Sequence, residues 1–279
     1  MTAHSVMEMD SLLRLAGFFG VLGLMVSWEV ITPRRPLSAS KPTRWVANLG
    51  TVLLDTLLVR LLFATGAVGA ALVATEHAWG VLNQLNWPTW FEMLLAVIVL
   101  DFAIYLQHVL FHTVPIFWRF HMVHHTDLDV DVTTGVRFHP GEVALSMLIK
   151  LAVVVLLGAP PSAVLVFEVL LNATSMFNHS NVRMPELVEC LFRWIVVTPD
   201  MHRIHHSVIP PETNSNFGFN LPWWDRLFGT YRAAPHQGHL NMTLGLEQFR
   251  NPNHLTLARI LWLPFVDSPG RSPLTQPHE

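Results

Sequence analysis

"DFAIYLQHVLFHTVPIFWRFHMVHHTD", residues 101–127, decides the fold class, because an apolar run passes without a break into clustered histidines. The run begins upstream, and 91–111 is long enough to cross a bilayer as a helix. Asp101 and His108 are its polar interruptions. His108 and His112 are four positions apart, so a helix sets both on one face. Just beyond, His121, His124 and His125 form H-x-x-H-H, and "MHRIHHSVI" at 201–209 repeats the pattern with His202, His205 and His206. There is no other internal repeat.

Composition points the same way. Of 279 residues, 51% are hydrophobic and only 13% charged, against roughly 25% charged in an ordinary soluble domain. The formal net charge of −3 leaves no basic footprint for nucleic acid. A single cysteine, Cys190, excludes an intramolecular disulfide framework, cysteine-rich zinc sites and haem attachment through C-x-x-C-H. The first apolar run, Leu12–Ile31, is longer than a signal-peptide core and lacks a basic flank, so no cleaved leader is expected.

Three runs of membrane length stand out: Leu12–Ile31, 46–74 with Asp55 and Arg60 inside it, and 91–111. Two shorter runs, 143–158 and 162–177, flank Pro160-Pro161. At about 1.5 Å per residue each reaches roughly 24 Å, short of a bilayer core of about 30 Å. With Lys150 inside, they read as a re-entrant helical hairpin. Arg34, Arg35, Lys41 and Arg44 crowd the loop at 33–45, whereas 76–90 has three tryptophans and no Lys or Arg. The positive-inside rule places 33–45 in the cytoplasm and 76–90 opposite. Counting forward, every clustered histidine falls on the cytoplasmic side. The expected fold is an all-α integral membrane bundle of about three transmembrane helices plus the hairpin, with a cytoplasmic histidine-rich helical cap. The expected divisions are transmembrane helices and loops over 1–89, a catalytic region over 90–232, and a C-terminal tail over 233–279. The Pro/Ser-rich end of that tail, 264–279, is expected to be disordered.

Histidine is the commonest metal ligand. Eight clustered imidazoles with no metal would each need another buried partner, so a metal role is favoured over a structural one. His139 in "RFHPGE" and His179 in "FNHSN" flank the hairpin and bring the candidates to ten. Ten exceed the needs of one ion, which suggests two. Imidazole suits zinc, copper, iron and nickel alike, so spacing alone does not choose the metal. H-E-x-x-H, the zinc-protease pattern, is absent.

H-x-x-x-H followed by two H-x-x-H-H boxes among membrane spans resembles the fatty acid hydroxylase/sterol desaturase superfamily. "RFHPGE", "NHSN", "TPDMHRIHHS" and "NSNFGFNLPWWDRLFGTY" resemble its bacterial members. The resemblance covers roughly 90–232. It implies a membrane-bound non-haem di-iron centre that uses O2 and external electrons to hydroxylate or desaturate a C–H bond of a lipid, such as a sterol, fatty acyl chain or ether lipid. Carried over, the iron ligands would be His108, His112, His121, His124, His125, His202, His205 and His206, with His179 matching the isolated histidine between boxes. Fatty acid 2-hydroxylases place a further histidine four positions before that one. Here position 175 is Ser, and His139 is the candidate replacement. With no G-x-G-x-x-G and no haem motif in the chain, the electrons are expected from a separate donor, a ferredoxin or a b-type cytochrome with its reductase. The expected location is a bacterial inner membrane.

Three acids could hydrogen-bond a ligand imidazole from behind: Asp101, seven positions before His108, Glu142 after His139-Pro140, and Asp200 before the last box. Asp101 could equally pair with Arg60, and Asp200 could cap its helix. "DLDVDV" at 127–132 hints at a calcium loop but lacks the glycine and glutamate an EF-hand requires. Asn214, Asn216 and the aromatic stretch after them could form a lid or a packed turn, and Asp225 with Arg226 an ion pair. The alternative activity is a zinc-dependent membrane lipid hydrolase using the same histidines.

Overall fold

The computed structural model describes residues 3–266, without the side chains of 3–11, 253 and 254. The described part is helical with no strand. In chain order the helices are α1 (Ala3–Ile31), α2 (Lys41–Leu62), α3 (Gly66–Glu76), α4 (Thr89–Thr113), α5 (Pro115–His125), α6 (Pro140–Leu157), α7 (Pro161–Asn178), α8 (Glu186–Phe192), α9 (Pro199–His205), α10 (Pro210–Thr213), α11 (Trp223–Phe228), α12 (Gly238–Asn241) and α13 (Leu257–Trp262). Prolines open α5, α6, α7, α9 and α10, where the missing N–H has no helical partner to lose.

Four stretches are long and apolar enough to cross a membrane: Leu12–Ile31, Lys41–Glu76, Thr89–Thr113 and Pro140–Leu157. The second has 36 residues, which as one straight helix would run about 54 Å. It breaks at 63–65, where the Phe63 N–H still reaches the Val59 carbonyl and Gly66 restarts the chain at φ +58°.

α6 packs on α2, α3 and α4, and α7 packs on α1, α3 and α4. Of the two arms of the expected hairpin, α6 is itself long and apolar enough to cross a membrane. The turn between the arms meets the segment after α3, with the Val81 N–H bonded to the Leu156 carbonyl at 3.1 Å. Gly158, at φ +70°, lies so close to Gly80 that a side chain on either would strike backbone. The charge in the hairpin is matched: Glu168 of α7 takes Lys150 of α6 at 2.6 Å and Arg14 of α1 at 2.7 Å. Ions inside a bilayer persist when paired in this way. A core of Val68, Leu100, Val154, Val164 and Phe167 fills the middle.

At the other end, Arg44 descends from the first turn of α2 into the loop after α5. Its guanidinium bonds Asp127 at 2.5 Å and Asp131 at 2.6 Å, all three fully buried. Asp129 caps the backbone N–H groups of Ser38 and Ala39. "DLDVDV" is thus a buried ionic clamp that ties the basic 33–45 loop to the histidine end of the bundle. The chain after 232 packs as well: Ile260 and Leu263 are buried with Ala47 of α2 and Trp118 of α5. Of the stretch expected to be disordered, 264–266 is ordered, with Pro264 buried in a short 3-10 turn over Leu263–Phe265, and 267–279 lies outside the described residues.

Candidate metal centre

Nine histidines meet at the end of the bundle that carries the ionic clamp, none more than 4% exposed. They fall into two groups with mutually close ring nitrogens: His108, His112, His121, His125 and His205, and His124, His179, His202 and His206. Each H-x-x-H-H box is divided between the groups. The reason is helical geometry, since neighbouring residues point roughly 100° apart while i and i+4 differ by roughly 40°. His121 and His125 therefore share one group and His124 turns to the other. In the second box His202 and His206 stay together and His205 crosses over.

The outward nitrogens are tied down. Nδ1 of His108 donates to the Phe217 carbonyl at 2.8 Å, that of His124 to Arg137 at 3.1 Å, that of His179 to Ser175 at 2.7 Å and that of His205 to Ser215 at 2.9 Å. His121 Nδ1 donates to the Glu142 carboxylate at 2.7 Å. A carbonyl only accepts, so the ring proton sits on Nδ1 and Nε2 presents a lone pair. Yet Nε2 of His124 stands 3.0 Å from Nε2 of His179, and Nε2 of His108 3.2 Å from that of His121. His202 approaches His179 at 3.0 Å and His112 approaches His125 at 3.1 Å. In the His108–His121 and His124–His179 contacts two lone pairs face one another, and at this distance they repel unless a cation lies between them. A proton is a poor candidate: burial pushes His121 and His179 down to about 3. Burial, with neighbouring imidazoles, drives His124, His125, His202 and His206 well below the usual value too. Neutral, preoriented imidazoles converging in a dry pocket fit divalent metal ions.

A pH dependence follows. In the unfolded chain a histidine takes a proton near pH 6.5, whereas His121 and His179 in the fold do so only near 3. Between these values the unfolded state binds more protons, so stability is full above about pH 6.5 and falls as the solution is acidified towards 3. Thermal melts of the metal-free protein in detergent should show a lower midpoint at about pH 5 than at about pH 7.5. Asp129 and Asp225, whose carboxyls burial pushes up, act in the opposite sense, so equal midpoints would mean that the imidazoles do not outweigh them.

The remaining predicted residues have distinct places. His139 is outside both groups. It caps α6 by accepting from the Gly141 N–H at 2.9 Å, and its Nε2 donates to the Leu261 carbonyl at 3.1 Å, so both nitrogens are occupied. Glu142 does stand behind an imidazole, that of His121. Glu142→Ala should weaken metal retention by about 10–100-fold with the fold kept, readable by competition with a chelator. Unchanged retention would remove Glu142 from this role. Asp101 meets neither Arg60 nor an imidazole. It accepts from Trp224 Nε1 at 2.8 Å and from the Asn220 and Leu221 N–H groups. Asp200 pairs with Arg34 and Arg203 rather than with His202, and Thr198 caps α9. Arg226 leaves Asp225 and sits 4.0 Å from the Trp194 and Tyr231 ring centres.

The lid residues resolve into a tight turn. Asn216, at φ +53°, bonds the Met201 and Arg232 carbonyls, and Asp225 accepts from the Phe217 and Gly218 N–H groups. This turn presses the Phe217 ring on His108, His112 and His205, and the Phe219 ring on His108, His179 and His202. Both phenylalanines belong to the aromatic stretch that the sequence offers as a lid or a packed turn, and the structure shows a packed turn that covers the rings. Sequence reasoning misses Gly135, whose absent side chain lets the loop after α5 touch the backbone of α7 at Ser175, the residue that holds His179.

The architecture is therefore that of an apolar helical protein with a buried double cluster of histidines at one end. Residues 93–230 match the family model described as Fatty acid hydroxylase. The chain is 33% identical over 166 residues to an ornithine lipid hydroxylase of Rhizobium tropici, covering 59% of this chain and 48% of the relative. It is 28% identical over 198 residues to an alkylglycerol monooxygenase of Xenopus tropicalis, covering 68% and 42%. It is 30% identical over 152 residues to a cholesterol 25-hydroxylase of Rattus norvegicus, covering 53% and 49%. The chain thus spans about half the length of these relatives. No solved structure matches it.

Proposed function

We propose that the protein is a membrane-bound di-iron lipid hydroxylase, with one iron held by the group of five histidines and one by the group of four. The observation that carries this reading is the pair of contacts His108–His121 and His124–His179, in which Nε2 atoms of rings that donate through Nδ1 face one another at 3.2 and 3.0 Å. The group of five donors exceeds the four of a tetrahedral zinc set. This favours iron over the zinc of a hydrolase, and nothing in the comparisons points to hydrolysis. The relatives' names, two hydroxylases and a monooxygenase, favour oxygen insertion over desaturation.

When bound, the iron pair would supply activation of O2 with two external electrons and two protons, placing one oxygen atom in a C–H bond and releasing the other as water. The chain's own residues do the rest. Backbone carbonyls and Glu142 hold the imidazoles neutral and aimed. Phe217 and Phe219 cover the cluster and exclude water, which would otherwise quench the oxidant. The substrate is an apolar chain of a membrane lipid that reaches the cluster laterally. The electrons come from a separate donor protein, and the cluster faces the cytoplasm, as the basic 33–45 loop at the same end supports. The test is incubation of iron-loaded protein in bilayers with a chemical reductant under 18O2, followed by lipid mass spectrometry. One labelled oxygen in a lipid supports the reading. Turnover without O2 or reductant overturns it.

A further inference from the structure

We propose that α8 and α11 together form a membrane-seated platform, their outward apolar face lying in the leaflet at the histidine end of the bundle and framing the way a lipid chain takes to Phe217 and Phe219. The second half of this statement rests on the hydroxylase reading; the first does not.

α8 and the turn after it are amphipathic in the reverse of the usual sense. Leu187, Cys190, Leu191 and Trp194, at i, i+3, i+4 and i+7, make one stripe. Leu187, Leu191 and Trp194 are 72%, 58% and 60% exposed. The opposite stripe carries Glu189 and Arg193, paired at 2.8 Å and turned inward. A helix of a water-soluble surface buries its apolar stripe and shows its ions. α11 behaves in the same way: Trp223 and Leu227 point outward while Asp225 is fully buried. The two helices form one surface, since the Trp223 indole N–H donates to the Trp194 carbonyl at 2.7 Å and Arg226 lies over the Trp194 ring. An apolar face of this extent marks an interaction site.

What covers it is settled by continuity. The Phe228 ring stacks on Phe102 and Tyr105 of α4, at 5.8 and 5.6 Å between centres. On the same span, Leu106 and Leu110 are exposed at 43% and 45%, so the α8–α11 face runs into the lipid-facing side of a transmembrane helix. Asp101 anchors the strap at depth through the Trp224 indole and two backbone N–H groups. Seven residues separate Asp101 from His108, which is about 10 Å along a helix. Segment 217–228 therefore reaches about 10 Å below the histidines along α4, with rings against the ligands at one end and rings in the leaflet at the other. Tryptophan on an interfacial face suits such a position.

Cys190 provides the test without any substitution, because it is exposed on the apolar stripe and is the chain's one cysteine. The iron-loaded protein, spin-labelled at Cys190 and reconstituted in phosphatidylcholine vesicles, should show a label open to O2 and shielded from a water-soluble nickel chelate. A label moved to exposed Arg183 in a Cys190→Ser, Arg183→Cys variant gives the aqueous reference. Equal nickel access at the two positions would overturn the platform. For the route, Leu227→Glu should lose most turnover on vesicle lipid with its iron content unchanged; full turnover would remove that part. If the unaltered protein turns over no lipid, the hydroxylase reading fails while the label still decides the platform.

Discussion

If the proposed di-iron centre is right, His124→Ala is expected to cost one of the two irons and to bring lipid turnover to background. His124 is buried in the smaller group, its Nδ1 fixed on the Arg137 carbonyl and its Nε2 3.0 Å from that of His179. Losing it leaves three imidazoles there, while the other group keeps five. Loss of a mere outer partner weakens metal binding by about 10–100-fold, and loss of a donor should exceed that. The counterpart is His139→Ala. Both of its nitrogens are engaged with backbone, so that variant should keep its full iron complement. Elemental analysis of the two proteins separates the outcomes. Full iron in His124→Ala, or loss of iron in His139→Ala, would break the assignment of the groups.

Arg44→Ala is expected to destabilise the fold by about 3–5 kcal/mol, because it strands buried carboxylates without their cation. The guanidinium bonds both oxygens of Asp127, one oxygen of Asp131, the Asp129 carbonyl and the Thr134 hydroxyl. A lysine cannot reproduce that fork, so Arg44→Lys should recover little. The effect should extend to the metal. Asn48 and Thr126 hold Arg137 in the same buried network, and the Arg137 carbonyl holds His124. Thermal unfolding in detergent, read together with iron content, checks both parts. An unchanged midpoint would show that the clamp is dispensable.

Much of this protein is legible in its sequence, and the parts that are not have physical causes. The apolar spans and the three histidine clusters are periodic, and periodicity survives without coordinates. The division of each H-x-x-H-H box between two groups follows from the roughly 100° between neighbours on a helix, but only the facing elements fix which group each ring joins. His139 resembled a ligand because sequence shows neither the Gly141 N–H nor the Leu261 carbonyl that occupies its ring. Helical spacing offers Asp101 either Arg60 or an imidazole, whereas its actual partners lie 119–123 residues further on. α8 and α11 are seven and six residues long, too short for their reversed amphipathic sense to stand out from a loop.

Structure and chemistry meet in one arrangement. The same loops that neutralise buried charge at the histidine end also present the carbonyls that orient the rings. The same aromatic turn that covers the rings continues into the lipid-facing side of α4. The lipid hydroxylase proposed above would need both a dry oxidising centre and access from the bilayer, and the 217–228 segment suits both.

The most direct test of the central claim is the metal stoichiometry of the protein purified in mild detergent and reconstituted anaerobically with ferrous iron, read by elemental mass spectrometry. Two iron ions per chain, bound against a competing chelator, is the predicted result. A single tightly held zinc that ferrous iron does not displace would contradict it.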